Sequence, residues 1–453
     1  MIQILFIAIL FTTFLNLIIS DMDYFNPGVV FNAMFLLFAL LCCIVDAITG
    51  LEIDNILTVV IIVSGSLVFT AVNILSRKMV RCAKTDIKLT PIKLSRTYLI
   101  MAILVEIVVA LFMYKYVSNF AFVYGVGGTF SEKLSFYDTI TKFNSEYKLR
   151  MPWYVSIGNL LGRSICYIAL YVAVKNYISL KKLDFKYAII ICIYFIGSLM
   201  GGRTEALRIV TAAIFLWYYF YKRKNGWKKG SVKIAIKMAI VAVLIVVTFS
   251  LMRGLLGRAT YDPVKVVFGY MGASLKNFDT FLSHPQKSIS GIWGAMTFTK
   301  FINWIGTKFG IESFVYVSDQ PFLYFKDFRM GNVYTTYYNF YYDFGFIGCI
   351  ILIFIIAVYY CYTYRKLKAR PHTEKKIDLQ IVIYAYLFND LIMLPFSSRF
   401  YETIVNINFI RMLIILEGLL YIINNIYFKN RKIYARLPRI IKKRVHYEEN
   451  IRV

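Results

Sequence analysis

What most constrains this chain is a recurrence: apolar runs of about twenty residues follow one another along almost its whole length. They cover 2–19, 28–48, 56–76, 98–117, 153–177, 187–201, 205–221, 234–252, 335–363, 379–397 and 404–427. Such runs match, as α-helices, a hydrocarbon layer ~30 Å thick. Backbone N–H and C=O groups find no water inside lipid, so the runs are helices and not open strands. Only 17% of the residues are charged and 59% are hydrophobic, whereas a soluble domain is charged at about a quarter of its positions. The expectation is an all-α polytopic integral membrane protein with about eleven transmembrane helices. No cation precedes the first run and no small-residue cleavage site follows it, so it reads as a retained helix and not a secretory signal.

The series pauses once, over 253–334, a stretch of 82 residues. The chain therefore divides into 1–252 with eight helices and a smaller loop at 118–152, the large loop 253–334, three helices in 335–427, and a basic tail at 428–453. The large loop is not hydrophilic. Phe278, Phe281, Ile292, Trp293, Phe298, Phe301, Trp304 and Ile305 recur at near-helical spacing among Lys276, Lys300 and Lys308. That pattern fits amphipathic helices lying in the membrane interface, or helices packed over the bundle. No tandem or inverted repeat is visible, although many secondary transporters are built from two related halves.

Charge orients the bundle. The net charge of +27 comes from 52 Lys and Arg against 25 Asp and Glu. Most of the excess sits in connections 77–97, 181–186, 222–233 and 365–376 and in the tail from Lys429. If each run crosses once, all of these fall on one side, which the positive-inside rule makes the cytoplasm. The basic tail then reads as a headgroup contact and not a nucleic-acid site. Connections 49–55, 118–152, 202–204, 253–334 and 398–403 fall outside. The turn Asp21-Met22-Asp23 falls on the cytoplasmic side, with the N-terminus outside and the C-terminus inside. None of the seven cysteines lies in an outer connection and there are three histidines. Neither a disulfide framework nor a metal centre is expected, and no cofactor.

Cations on the face that should be poor in them call for a reason, and an anionic ligand is one. Gly201-Gly202-Arg203-Thr204-Glu205 joins the sixth and seventh runs. Free N–H groups at a helix start, exposed glycine backbone and a forked guanidinium suit a phosphate or diphosphate. An ordinary turn with a snorkelling arginine is the competing reading. Arg253 and Arg258 open the large loop, Arg258 preceding Gly269 by eleven positions. Arg329 lies near the loop's end and Arg399 in the last outer turn. Acid–base candidates on that face are Asp262, Glu205, His284, Asp343 and Glu402. Within the runs lie Asp46, Glu106, Arg163, Asp390, Arg411 and Glu417, for which structural pairing is the first expectation and a proton relay the second.

The loop closes on Gly331-Asn332-Val333-Tyr334-Thr335-Thr336-Tyr337, followed by Tyr341-Tyr342-Asp343-Phe344-Gly345-Phe346-Ile347-Gly348. This resembles the oligosaccharide repeat-unit polymerases (Wzy-type O-antigen polymerases), which show a similar Asn-x-Tyr-Thr segment before Asp-Phe-Gly-x-x-Gly. Gly202-Arg203-Thr204 is similar to a Gly-x-Arg-Thr element of that family, and the Arg258-to-Gly269 spacing to its Arg–ten–Gly pattern. One departure stands: Arg150 is followed by Gly162, one residue off that register.

The resemblance implies a GT-C-like, O-antigen ligase-like architecture in a bacterial inner membrane. It also implies a reaction, transfer of a growing glycan from undecaprenyl diphosphate to an incoming undecaprenyl-diphosphate-linked repeat unit, on the periplasmic side. On that reading Arg203, Arg253 and Arg258 bind the donor diphosphate, with Arg329 as a fourth candidate. Asp262, Glu205 or His284 takes the acceptor proton, and Asn332, Tyr334, Asp343 and Arg399 shape the substrate site. A Wzz-type chain-length-regulating co-polymerase is the implied protein partner. An O-antigen ligase and a lipid-linked oligosaccharide flippase are the alternatives.

Overall fold

The computed structural model describes the chain except residues 83–88, 144–150, 201–202, 229–233, 235, 237–262, 290, 319, 326–327, 371–375, 430–431 and 436–453. For 142, 143, 203, 263–270, 328–329, 426–429 and 432–435 it describes the backbone alone. Fourteen α-helices are described: α1 Ile2–Ile19, α2 Pro27–Thr49, α3 Ile56–Met79, α4 Arg96–Val123, α5 Phe130–Phe143, α6 Trp153–Leu180, α7 Phe185–Leu199, α8 Arg203–Lys224, α9 Pro263–Ser283, α10 Thr299–Phe309, α11 Thr336–Ala369, α12 Leu379–Ile392, α13 Phe400–Ile404 and α14 Ile407–Asn425. Seven of them, α1, α2, α3, α4, α6, α11 and α14, are long and apolar enough to cross a membrane. The molecule is thus a helical, multi-pass membrane protein.

Eleven crossing helices were expected, and the difference has identifiable sources. Helices α7 and α12 are apolar but have 15 and 14 residues, roughly 22 and 21 Å at 1.5 Å per residue. Helix α8 has 22 residues but carries Arg203, Glu205 and Arg208 at one end and Lys222, Arg223 and Lys224 at the other. The run 234–252 lies outside the described residues apart from Ile234 and Ile236. Two short antiparallel hairpins, β1 Leu323–Phe325 with β2 Phe328–Gly331 and β3 Ile426–Lys429 with β4 Lys432–Ala435, qualify the all-α expectation.

Helix ends are set by local chemistry. Asn26 accepts from the Gly28 N–H at 3.0 Å with Pro27 at the first position of α2, and Gly50 closes that helix in the left-handed conformation. Asn55, Ser95, Asp184 and Asp378 cap α3, α4, α7 and α12 through their side chains. Each cap satisfies one of the amide donors that a helix start leaves free.

A polar spine holds α1, α2 and α3 together. Asn16 Nδ2 donates to Thr70 Oγ1 at 2.7 Å, Asn73 Nδ2 to Asn16 Oδ1 at 3.1 Å, and Asn26 Nδ2 to Asn73 Oδ1 at 2.9 Å. Deeper in, Ser66 Oγ donates to Thr12 Oγ1 at 2.7 Å. Interhelical hydrogen bonds in membranes contribute about 0.6 kcal/mol each, so the spine fixes register more than it adds stability. Gly28 lets α1 approach: a Cβ there would lie 2.5 Å from Asn16 Oδ1.

The connections gather at two ends. At the basic end Asp23, in the α1–α2 turn, accepts from Lys368 Nζ at 2.6 Å and Tyr218 Oη at 2.9 Å, Arg77 pairs with Asp21 at 3.1 Å, and Arg365 donates to the Val80 carbonyl at 2.9 Å. At the opposite end, the loop end, Asp279 of α9 is 1% exposed and accepts from the Asp54 and Asn55 N–H groups and from Thr58 Oγ1. Lys276 bridges Asp279 and Asp54, both at 3.1 Å. Helix α9 therefore packs on α2 and anchors the start of α3, with Leu275 and Phe278 fully buried. Of the two readings of the loop's apolar pattern, packing over the bundle holds for α9. Residues 293–297 form turns, and α10 begins at Thr299.

Candidate functional site: a buried arginine–carboxylate network

Helix α8 begins at Arg203, and Glu205 and Arg208 in its first two turns carry charge into the bundle. Glu205 Oε1 lies 3.0 Å from Arg163 Nε of α6, and Glu205 Oε2 lies 3.6 Å from Arg208 NH1. Arg208 donates through NH2 to Asp390 Oδ1 of α12 at 2.7 Å and to Thr403 Oγ1 of α13 at 3.3 Å, and through NH1 to Tyr386 Oη at 2.7 Å. The Arg208 guanidinium also sits 4.5 Å from the centre of the Tyr386 ring. Arg163 Nε and the Glu205 carboxylate share Tyr194 Oη of α7, at 3.3 and 3.4 Å. Asp390 is wholly buried and Arg208 nearly so. Two cations thus face two carboxylates, the arrangement that makes buried charge tolerable in a bundle interior.

Beside this network lies a cavity of about 110 Å³ lined by Glu106, Asn159, Arg163, Tyr194, Ser198 and Glu205 together with apolar residues of α4 and α7. Ser198 lies in the last turn of α7 and Glu205 in the first turn of α8, so the cavity lies where these two helix ends meet α4 and α6. Glu106 of α4 is 1% exposed, and neither of its carboxylate oxygens makes a hydrogen bond. Gly162 of α6 gives it room: a Cβ there would lie 2.8 Å from Glu106 Oε2.

The motif between loop and bundle serves as an anchor. Asp343, on α11, accepts from the Met296 N–H at 3.1 Å and the Thr297 N–H at 2.6 Å, which ties the turn before α10 to the bundle. Asn339 Nδ2 adds a bond to the Met296 carbonyl at 2.7 Å. Tyr342 Oη donates to the Ile289 carbonyl at 3.0 Å and accepts its N–H at 2.6 Å. Tyr334 Oη donates to the Pro321 carbonyl at 3.0 Å, and its ring lies 4.3 Å from that of Tyr338. Gly345, at φ 64° and ψ −160°, interrupts α11 in a conformation that residues with a Cβ avoid.

The residues singled out from the sequence fall into three groups. Glu205 joins the network, where two guanidinium groups occupy its oxygens. Arg399 lies at the edge of the same region: its NH1 is 3.7 Å from Glu402 Oε2, which Lys300 also approaches at 3.4 Å, one residue from Thr403. Asp343 and Tyr334 belong to the anchor, and Asn332 is half-buried just ahead of it. His284 is exposed at the end of α9. Arg203 and Arg329 are described in backbone only, the first opening α8 and the second in β2 paired with Tyr324. Arg253, Arg258 and Asp262 lie outside the described residues.

Of the charges inside runs, Arg163 and Asp390 are paired as expected, whereas Arg411 and Glu417 are exposed on α14 and Asp46 is half-buried on α2. Arg208, Tyr194 and Tyr386 were not singled out. The available signal was Arg208 itself, a lone cation in the apolar run 205–221. Among the described residues no group of three or more His, Cys, Asp or Glu side chains is placed to hold a metal. Compared with known proteins, the chain is matched by no family model, no curated protein and no solved structure.

Proposed function

We propose that the protein is a membrane glycosyltransferase that polymerises lipid-linked oligosaccharide repeat units. A growing glycan would move from undecaprenyl diphosphate to an incoming undecaprenyl-diphosphate-linked repeat unit at the loop end, on the periplasmic face of a bacterial inner membrane crossed by about eleven helices. The observation that carries this reading is the polar cavity between α4, α6, the end of α7 and the start of α8, beside a bundle-deep arginine–carboxylate network. It is joined by the resemblance of 202–204 and 331–348 to the repeat-unit polymerases.

In the reaction, an acceptor hydroxyl attacks the anomeric carbon of the donor sugar, the bond from that carbon to the diphosphate oxygen breaks, and the hydroxyl proton passes to a base. Fixed guanidinium groups stabilise the departing diphosphate, because charge preorganised in a dry site is worth more than in water. Arg203, Arg253 and Arg258 are assigned that role, with Arg329 and Arg399 as further contacts. Both Glu205 oxygens are engaged by arginines, which leaves His284 or Asp262 as the base. Trp293, 77% exposed with its ring 4.9 Å from that of Phe344, offers an aromatic face for a sugar.

The test is replacement of Arg203 and Arg258 by Ala and by Lys, read as the length distribution of surface glycan. Full-length ladders from both Ala variants sink the assignment. A strain without the protein that still caps its glycolipid with a single repeat is a polymerase strain. One that loses all capped product points to a ligase. One observation favours a different class: Glu106, a buried carboxylate without a partner, is the kind of group a proton-coupled flippase uses. Chain extension by purified protein and lipid-linked repeats, without an energy source, separates the two.

A further inference from the structure

At the basic end, opposite the proposed catalytic site and independent of it, four connections enclose a cavity of about 380 Å³. Its wall holds five cations, Arg77, Arg81, Lys222, Arg365 and Lys368, against two carboxylates, Asp21 and Asp23. Arg81 is exposed at the mouth, but the cations behind it are not splayed into solvent. Lys222 is 3% exposed, and the Lys368 ammonium lies 4.5 Å from the centre of the Trp227 ring.

The carboxylates are already committed. Asp21 takes Arg77, and Asp23 accepts from Lys368, Tyr218 and Tyr364. Among the described residues Arg81 and Arg365 form no ion pair, and Lys222 is attracted by Asp23 without forming one. Lys222 turns to the Lys228 carbonyl and Arg365 to that of Val80, while Arg365 Nε is buried with no acceptor. Like charges converging on a concave, partly dry surface repel one another, and an anion with several acceptor oxygens relieves that repulsion while pairing the remaining donors. The volume holds a phosphate group with a few waters, each taking ~30 Å³.

We propose that this cavity is a binding site for a phosphate-bearing anion, contacted by Arg81, Lys222 and Arg365. The same chemistry is supplied by a phospholipid headgroup from the adjoining leaflet or by soluble phosphate. In the first arm of the test, the full-length protein in neutral detergent is titrated with inorganic phosphate and its unfolding midpoint followed. In the second, nanodiscs of phosphatidylcholine with and without phosphatidylglycerol are analysed by native mass spectrometry for retained anionic lipid.

A midpoint raised by inorganic phosphate supports the site with a soluble source. Phosphatidylglycerol retained without such a rise supports it with a lipid source. In either case Arg81→Gln, an exposed position that leaves the fold intact, weakens the effect about tenfold or more, the loss of one charge-assisted contact. Lys222→Gln gives a second reading. No rise and no retention in the wild type overturns the proposal, as does an effect of equal size in both variants.

Discussion

Removing Asp390 tests the buried network most directly. Asp390 is wholly buried and meets Arg208, whose side chain is 8% exposed, at 2.7 Å. Asp390→Leu leaves the guanidinium with the hydroxyls of Tyr386 and Thr403 and a 3.6 Å contact to Glu205. Stranding one member of a buried pair costs about 3–5 kcal/mol, whereas replacing both members with apolar groups of similar volume is often neutral or stabilising. The double variant Arg208→Met/Asp390→Leu should therefore unfold at a higher temperature than Asp390→Leu alone, by intrinsic fluorescence in detergent. The interaction energy from the two single variants and the double one should reach at least ~2 kcal/mol. If the two losses simply add, Arg208 and Asp390 are not coupled and the network account fails. Activity gives a separate readout: a stable double variant that no longer extends glycans assigns the pair to the site as well as to the fold.

Gly345→Ala should cost about 1–3 kcal/mol of stability, because Gly345 sits at φ 64° and ψ −160° within α11; an unchanged unfolding midpoint would contradict this. Asp343→Ala removes the acceptor for the Met296 and Thr297 N–H groups, so limited proteolysis should cut within 285–298 sooner than in the wild type. Burial would raise the pKa of Asp23, but the charge and hydrogen bond of Lys368, with Lys222 and Tyr218, more than offset it and hold it below 3.8. Its contribution is full above the ordinary carboxylate range and is lost as pH falls through that depressed value, and an unfolding series taken below pH 3.8 should show an acid limb that Asp23→Asn lacks. Cysteines placed, in a protein cleared of its own cysteines, at Trp293 and at Lys182, both exposed and assigned to opposite faces by the charge of the connections, should react with a membrane-impermeant reagent from opposite sides of oriented vesicles.

Much of the helix plan was legible because boundary chemistry is local. The connection read as 49–55 runs over 50–55, between Thr49, which ends α2, and Ile56, which starts α3, with Gly50 supplying the stop and Asn55 the cap. Partners were not legible. Asn16, Thr70 and Asn73 are single polar residues in separate apolar runs, and nothing local states that they meet across 54 and 57 positions. The amphipathic pattern of α9 announced an apolar face but not that α2 covers it. At the candidate site, Glu205, Arg163 and Asp390 were visible as costly charges, but their mutual neutralisation depends on packing among α6, α8 and α12. Arg208 escaped notice because one cation near the end of a long apolar run resembles a snorkelling residue.

That neutralisation narrows where an anionic substrate can be held. Arg163 and Arg208 spend their charge on Glu205 and Asp390, so a diphosphate brought to them would have to compete with buried carboxylates at 3.0 and 2.7 Å. A substrate that must bind and leave in each turnover cannot sensibly displace contacts whose loss costs several kcal/mol. The network is better suited to hold α8 in place and so to fix the helix start, where Arg203 stands in the chain. At the rim of the network Arg399 and Lys300 share the single carboxylate of Glu402, an excess of positive charge that the interior lacks. On the proposed function, attraction for a lipid diphosphate would then belong to the rim and the loop, and the buried arginines would act through positioning. Replacing Arg163 or Arg208 should then lower turnover and stability together, whereas Arg203→Ala should abolish chain extension in a protein that still folds.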